Sequence, residues 1–167
     1  MGVSGSGKSV VGIALAEALG ASFVEGDQLH PPRNVDLMAR GIALVDDDRW
    51  GWLDTVGAAI ARQFARGELV VGACSALKRS YRDRLRSLNP GLVFIHLAVD
   101  ADTARLRVHG RRGHFMPASL VESQFAALER PQADEAALTL DASRPVDQLV
   151  ADALRWFGRG AVTTGQR

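Results

Sequence analysis

The stretch Gly2-Val3-Ser4-Gly5-Ser6-Gly7-Lys8-Ser9 matches the pattern G-x-x-x-x-G-K-[ST] at every fixed position. Glycines at this spacing let backbone N–H groups wrap phosphate oxygens, and a following helix adds its own free N–H groups. Helical apolar spacing follows the motif, which disfavours a chance match in a flexible glycine-rich terminus. The pattern predicts that ATP contacts Gly2, Ser4, Gly5, Ser6, Gly7, Lys8 and Ser9, with Mg²⁺ on the Ser9 hydroxyl.

Outside this loop, short β-rich runs alternate with helical patterns, which predicts an α/β fold with a parallel sheet between helical layers. Continuous apolar runs at 69–74 and 92–99 are typical of strands buried on both faces. Further strands are predicted at 22–25 and 137–140. Helices are predicted at about 11–18, 31–40, 50–66, 78–88, 102–108, 118–128 and 146–157.

The chain has 167 residues, and we interpret 1–157 as one domain and 158–167 as a flexible tail. The formal net charge is +1, which gives no overall attraction to nucleic acid or to an anionic membrane. No apolar run approaches the ~20 residues of a membrane helix, and no signal peptide is apparent. The single cysteine, Cys74, is consistent with a cytoplasmic protein.

The start of the chain departs from the motif's usual context. A phosphate loop of this kind follows a β-strand, and here only Met1 precedes it. That strand is central in such sheets, so its neighbours would lose hydrogen-bond partners and the loop would lose its anchor. We therefore expect the natural chain to begin several residues earlier.

A second polar segment, Glu25-Gly26-Asp27-Gln28-Leu29-His30, follows the predicted strand at 22–25. Ligands of open α/β sheets bind at such carboxyl ends. One carboxylate can hold a magnesium-bound water, and the other can orient an acceptor hydroxyl and take its proton. The alternative is a polar turn after a strand.

Two charged segments lie near predicted helix starts. Asp46-Asp47-Asp48 can simply cap a helix, whereas Arg49 in a first turn opposes the helix dipole and is better explained as a ligand contact. In the segment 74–79, Ser75 with Lys78 or Arg79 could hold the carboxylate of a polyol. The alternative there is a solvated helix face, because five basic residues follow one another closely: Lys78, Arg79, Arg82, Arg84 and Arg86.

A third basic segment lies between 105 and 117. Glycines at 110 and 113 and a proline at 117 are typical of a hinged lid that carries an arginine to the transferred phosphoryl group. The alternatives are a basic surface helix or a nucleic-acid-binding arm, and the balanced net charge disfavours the second.

Taken together, these segments resemble the thermoresistant-type gluconokinases, within the shikimate-kinase and nucleoside-monophosphate-kinase branch of P-loop proteins. The resemblance runs from Gly2 to about Phe157. The matching stretches are residues 1–9, Glu25-Gly-Asp-Gln-Leu-His-Pro31, Asp46-Asp-Asp-Arg49, Cys74-Ser-Ala-Leu-Lys-Arg79, Tyr81-Arg-Asp83 and Arg111-Arg-Gly-His-Phe-Met-Pro117. The phosphate loop is generic, whereas the second and fourth stretches are specific to gluconokinases.

The resemblance implies a five-stranded parallel sheet of order 2-3-1-4-5, a substrate-binding insert at 31–66 and a lid at 107–120. It implies ATP, Mg²⁺, gluconate, the product 6-phosphogluconate and a homodimer. The resemblance also implies three catalytic residues, namely Lys8, Asp27 and Arg111. It further implies that ATP is contacted by Arg111 and Arg144 and that Glu25 holds Mg²⁺ through water. Around the acceptor it places Asp27, His30, Arg49, Ser75, Lys78, Arg79 and His114.

Two rival functions remain open on the sequence. The first is another small-molecule kinase, acting on shikimate or a different sugar acid, and the segment 25–31 argues against shikimate. The second is a nucleotide-binding protein without transfer activity, which would bind ATP but release no acceptor-dependent ADP.

Overall fold

A computed structural model describes residues 1–110 and 119–158 of the chain. The strands are β1 (Ser22–Glu25), β2 (Val70–Ala73), β3 (Phe94–Ala98) and β4 (Ala137–Asp141). The helices are α1 (Lys8–Leu19), α2 (Pro32–Ala39), α3 (Asp46–Phe64), α4 (Arg79–Leu88), α5 (Ala101–His109), α6 (Ser119–Ala127) and α7 (Val146–Trp156). Each predicted element is present, and the largest shift is at α3, which begins at Asp46 rather than near Trp50.

The strands form two parallel pairs. β1 pairs with β2, with Phe23 opposite Val71, and β3 pairs with β4, with Leu97 opposite Leu140. Among the described residues no strand joins the two pairs. Both pairs are parallel and both are followed by helices, as the predicted α/β fold requires.

Met1 and Gly2 lie between the two pairs of strands and hold the phosphate loop. The Met1 amino group donates to Ile95 O at 2.5 Å, and Leu97 N donates to Met1 O at 3.0 Å. On the other side, Gly2 N donates to Ser75 O at 3.1 Å. The expectation that the loop would lose its anchor is therefore wrong, because these backbone hydrogen bonds fix its first residues.

Helices cover both faces of the β1–β2 pair. Phe23 faces α1, where a Cβ added at Gly12 would lie 2.7 Å from its ring. The next residue, Val24, points to the opposite face and packs in the cluster that contains Trp52 and Val56 of α3. The chain is therefore layered as helix, sheet and helix, which confirms the predicted arrangement.

The prediction that the run 69–74 is buried on both faces is wrong for most of β2. Gly72 is exposed, Val70 and Val71 are half-buried, and Leu69 just before the strand is 58% exposed. Among the described residues, β2 pairs with β1 along one edge, and no strand pairs with its other edge. β3 fits the prediction better, since Phe94, His96 and Leu97 are buried.

The packing of α3 on α4 positions two predicted acceptor contacts, Arg49 near the start of α3 and Lys78 just before α4. Trp52 and Leu53 of α3 are almost fully buried in one cluster with Tyr81 and Leu85 of α4. Burial of each such side chain stabilises the fold by about 1.5–3 kcal/mol. The contact brings the start of α3 beside the start of α4. None of the helices within the described residues is both long and apolar enough to cross a membrane.

Candidate active site

The phosphate loop turns tightly in front of α1. Gly5 has φ +81°, and a Cβ there would lie 2.5 Å from Ala104 O, so this position requires glycine. Gly7, directly before Lys8, has φ +89°. The loop thus leads into the free N–H groups at the start of α1, where anions bind favourably.

Two side chains of this loop indicate where phosphate would bind. The Ser6 hydroxyl is buried and has no hydrogen-bond partner among the described residues. A buried unpartnered hydroxyl is unfavourable, and a phosphate oxygen would satisfy it. Lys8 Nζ donates to Val3 O at 3.0 Å, so its ammonium group lies across the loop. These residues fit the predicted binding of ATP phosphates.

Arg107 was not singled out from the sequence, although it contacts the phosphate loop. Its guanidinium donates to Ala142 O at 3.0 Å and to Gly5 O at 3.4 Å. It thereby connects the loop to the turn after β4, which carries the predicted ATP contact Arg144. The neighbouring Arg105 instead pairs with Glu122 at 2.8 Å. Both lie in one basic run, and nothing local to the sequence separates them.

The predicted ATP contact Arg144 has partners within the protein. It donates to Asp152 at 2.6 Å and to Gln148 at 3.2 Å, both on α7. The side chain is 40% exposed. A role at the nucleotide would require it to turn from α7, and this role stays a prediction.

The first residues predicted to contact the acceptor lie at the end of β1. Glu25 caps the short 3-10 turn Gly26–Leu29, since its carboxylate accepts from Asp27 N at 3.5 Å. The His30 ring stacks on Trp52 with centroids 4.0 Å apart. Burial lowers the pKa of His30 to about 4, so the imidazole is neutral near pH 7 and contributes hydrogen bonds rather than charge.

The described residues contain no cluster of three or more acidic, histidine or cysteine side chains that could hold a metal ion by themselves. The predicted magnesium site uses the Ser9 hydroxyl and, through water, Glu25, so it needs no such cluster, and it stays a prediction. Mg²⁺ in such sites keeps several waters and binds substrate phosphates rather than an all-protein cage.

A pocket of about 480 Å³ lies between the start of α3, the start of α4 and α6, and we call it the acceptor pocket. Lys78 Nζ donates to both carboxylate oxygens of Asp46, at 2.7 and 2.9 Å. The Tyr81 hydroxyl donates to the same carboxylate at 2.5 Å. These hydrogen bonds lower the pKa of Asp46. Arg49 lies 5.9 Å from the centre of the Tyr81 ring, so two cations face this pocket.

The other predicted substrate residues on this segment lie elsewhere. Arg79 pairs with Asp134 through two hydrogen bonds of 3.0 and 2.7 Å and does not line the acceptor pocket. Ser75 is buried, and its carbonyl holds Gly2 of the phosphate loop. The structure therefore brings Lys78 and Arg49 together, places Ser75 beside the phosphate loop and separates Arg79 from them. Arg111 and His114 fall outside the described residues, as do the rest of 111–118 and the tail from 159.

Arg82 supports this half of the site, although the sequence pattern indicates only a solvated basic helix face at this position. It is fully buried and pairs with both oxygens of Glu135, at 2.6 and 2.7 Å. It also donates to the carbonyls of Ala76, Leu77 and Glu129. It thus fixes the loop between Ser75 and Lys78.

Comparison with known proteins shows the family of this chain. The protein-family model for shikimate kinase matches residues 4–155. A thermosensitive gluconokinase of Escherichia coli K12 is 48% identical over 81% of this chain and 72% of its own length. A thermoresistant gluconokinase of the same strain is 42% identical over 96% of this chain and 92% of its own length.

A solved structure shows the same fold. The crystal structure of a gluconokinase from Sinorhizobium meliloti 1021 matches with a TM-score of 0.84 and 49% identity, covering 96% of this chain and 90% of that one. The chain therefore belongs to the gluconokinase family, a group of P-loop kinases related to shikimate kinase.

Proposed function

We propose that the protein transfers the γ-phosphoryl group of ATP to the 6-hydroxyl of gluconate and releases 6-phosphogluconate. The acceptor pocket carries the proposal, because Lys78 and Arg49 offer two cations to a sugar acid's carboxylate. The loop that bears Lys78 is hydrogen-bonded to the phosphate loop through Ser75 O and Gly2 N. Relatives named as gluconokinases supply the identity of the acceptor.

On the nucleotide side, each residue of the phosphate loop has a definite task. Backbone N–H groups and the Ser6 hydroxyl bind phosphate oxygens, and Lys8 exchanges Val3 O for the β- and γ-phosphates. ATP supplies the phosphoryl group and Mg²⁺ offsets its charge. Ser9 would hold the metal directly, and Glu25 would hold it through water.

On the acceptor side, we assign the role of general base to Asp27. It orients the attacking hydroxyl and accepts its proton, at the carboxyl end of β1 where ligands of such sheets bind. His30, neutral and stacked on Trp52, offers a ring nitrogen for a hydrogen bond to a substrate hydroxyl. Arg111 of the lid offsets charge in the transition state and helps to exclude water.

We also propose a cytoplasmic homodimer with no nucleic-acid or membrane partner. The single cysteine and the net charge of +1 support the compartment and the absence of polyanion binding, and the family resemblance supports the dimer. Light scattering after size exclusion tests the dimer. A monomeric mass at micromolar concentration would overturn that part of the proposal.

An acceptor panel tests the reaction. ADP release from ATP and Mg²⁺ is measured with gluconate, shikimate, another aldonic acid and the uncharged polyol glucitol. Only gluconate is expected to give rapid release. Lys8→Ala should lower turnover by about 10³-fold or more, by analogy with the loss of other charge-stabilising groups in phosphoryl transfer. Equal rates with gluconate and shikimate, or near-native turnover of Lys8→Ala, would contradict the assignments.

A further inference from the structure

The Lys78 ammonium already binds a carboxylate within the protein. Asp46 presents both of its oxygens to Lys78 Nζ, at 2.7 and 2.9 Å, and accepts a third hydrogen bond from the Tyr81 hydroxyl at 2.5 Å. A cation and a neutral donor thus converge on one carboxylate. A bound sugar acid would need the same two donors for its own carboxylate.

The Asp46 carboxylate can be displaced from Lys78 at little cost to the stability of the fold. It belongs to the first turn of α3, and its side chain is 46% exposed, against 30% for Lys78. An ion pair this accessible contributes little to stability, because water and salt compensate for its loss. Exchange of one carboxylate for another at Lys78 therefore costs the fold little.

The neighbouring aspartates behave differently. Asp48 accepts from Val45 N at 3.1 Å and pairs with Arg33, so it caps α3. Asp47 lines the acceptor pocket beside Asp46 and carries the same charge in the same helical turn. No hydrogen bond or ion pair joins Asp47 to Lys78 among the described residues. Because Asp47 lines the pocket, the matched control is Asp54 on the same helix, whose carboxylate pairs with Arg84 at the surface.

We propose that Asp46 is a specificity-determining residue that occupies the carboxylate position of the acceptor pocket until an anionic acceptor displaces it from Lys78 and Tyr81. The inference rests on the proposed function, in which Lys78 binds the acceptor's carboxylate. An acceptor with a carboxylate replaces the hydrogen bonds of Asp46 as it enters. A neutral polyol cannot, so it has to leave Asp46 in place or expose Lys78 unpaired. The pocket thereby selects against uncharged analogues of its substrate.

Steady-state kinetics of Asp46→Asn and Asp54→Asn with gluconate test the proposal. Asp46→Asn removes the carboxylate that competes with gluconate for Lys78. KM for gluconate should therefore fall by about two- to five-fold, the range expected for an exposed ion pair, with kcat little changed. Asp54→Asn should leave KM within about 1.5-fold of the parent, because its carboxylate pairs with Arg84 and not with Lys78. Equilibrium dialysis of labelled gluconate without ATP checks that the change in KM is a change in affinity.

A third variant ties the effect to Lys78. In a Lys78→Met background the carboxylate at position 46 has no ammonium group to pair with, so Asp46→Asn should no longer change KM for gluconate. Thermal unfolding of each variant confirms that it is folded.

Three outcomes would overturn the inference. A raised KM in Asp46→Asn would make Asp46 a ligand for substrate hydroxyls. An equal fall in both aspartate variants would show a general effect of charge. Persistence of the effect in Lys78→Met would separate it from Lys78. If the parent releases no ADP in response to gluconate, the proposed function itself fails and the inference fails with it, a result distinct from the other three.

Discussion

Lys78 and Arg82 lie one helical turn apart at the start of α4, and each holds a carboxylate. The Lys78–Asp46 pair is partly open to solvent and lines the acceptor pocket, whereas the side chains of Arg82 and Glu135 are 0% and 1% exposed. Within the described part of the chain, Arg82 donates its hydrogen bonds to the Glu135 carboxylate and to three main-chain carbonyls. The same chemistry therefore serves two purposes, and burial decides which pair is permanent and which can be exchanged for a ligand.

Removal of Glu135 tests the buried pair of Arg82 and Glu135 and should have the largest effect on the free energy of unfolding. Glu135→Ala leaves the Arg82 guanidinium buried without its counter-charge, and the free energy of unfolding should fall by about 3–5 kcal/mol. The matched control is Asp134→Ala, which removes an exposed partner of Arg79 and should cost far less, because water and salt screen an exposed ion pair. Urea unfolding followed by circular dichroism measures both. Equal losses at the two adjacent positions would mean that burial does not distinguish the pairs.

Removal of Lys78 tests the exchangeable pair. Lys78→Met should change the free energy of unfolding by less than about 1 kcal/mol and raise KM for gluconate by roughly 10- to 100-fold, the value of a charge-assisted hydrogen bond. Arg84→Met is the control, because Arg84 lies on the same helix and pairs with Asp54 at the surface. Its KM should match that of the parent. A large loss of stability with an unchanged KM would reverse the roles assigned to Lys78 and Arg82.

Acid titration separates the two pairs more finely. Hydrogen bonds from Arg82, the largest cause, lower the pKa of Glu135 from 4.5 to about 2. Because the folded-state pKa is the lower one, the contribution of Glu135 to stability is fully present above pH 4.5 and is lost as pH falls through about 2. Between these values the free energy of unfolding should fall by up to about 1.4 kcal/mol per pH unit.

Glu135→Gln should flatten this slope, as measured by urea unfolding from pH 5 to pH 2. Asp46→Asn, at the exposed pair, should flatten it much less. Parallel curves for the parent and Glu135→Gln would show that Glu135 is not held ionised in the folded state.

The nucleotide half of the site could be predicted because its information is local. Eight consecutive residues specify the phosphate loop, and apolar spacing specifies the helix after it. Lys78 and Arg49 were predicted as acceptor contacts, and both line one pocket. The fold was predictable for a similar reason, since alternating strand and helix patterns leave few parallel topologies.

The ion pairs were not predictable, because their partners are far apart in sequence. Arg82 and Glu135 are separated by 53 residues, and Lys78 and Asp46 by 32. In the sequence Arg82 is one of five basic residues on a helix, and only the packing of α3 and of the turn before β4 shows that it is buried. The same holds for Arg107, whose contacts come from two distant loops.

Identification of the product tests the central claim most directly. The protein is incubated with ATP, Mg²⁺ and uniformly ¹³C-labelled gluconate, and ³¹P and ¹³C spectra locate the new phosphate ester. The expected result is one product with phosphate on the oxygen of carbon 6, formed in proportion to ADP. Phosphate on another carbon, or ADP formed without any phosphorylated gluconate, would contradict the claim that this site is a gluconate kinase.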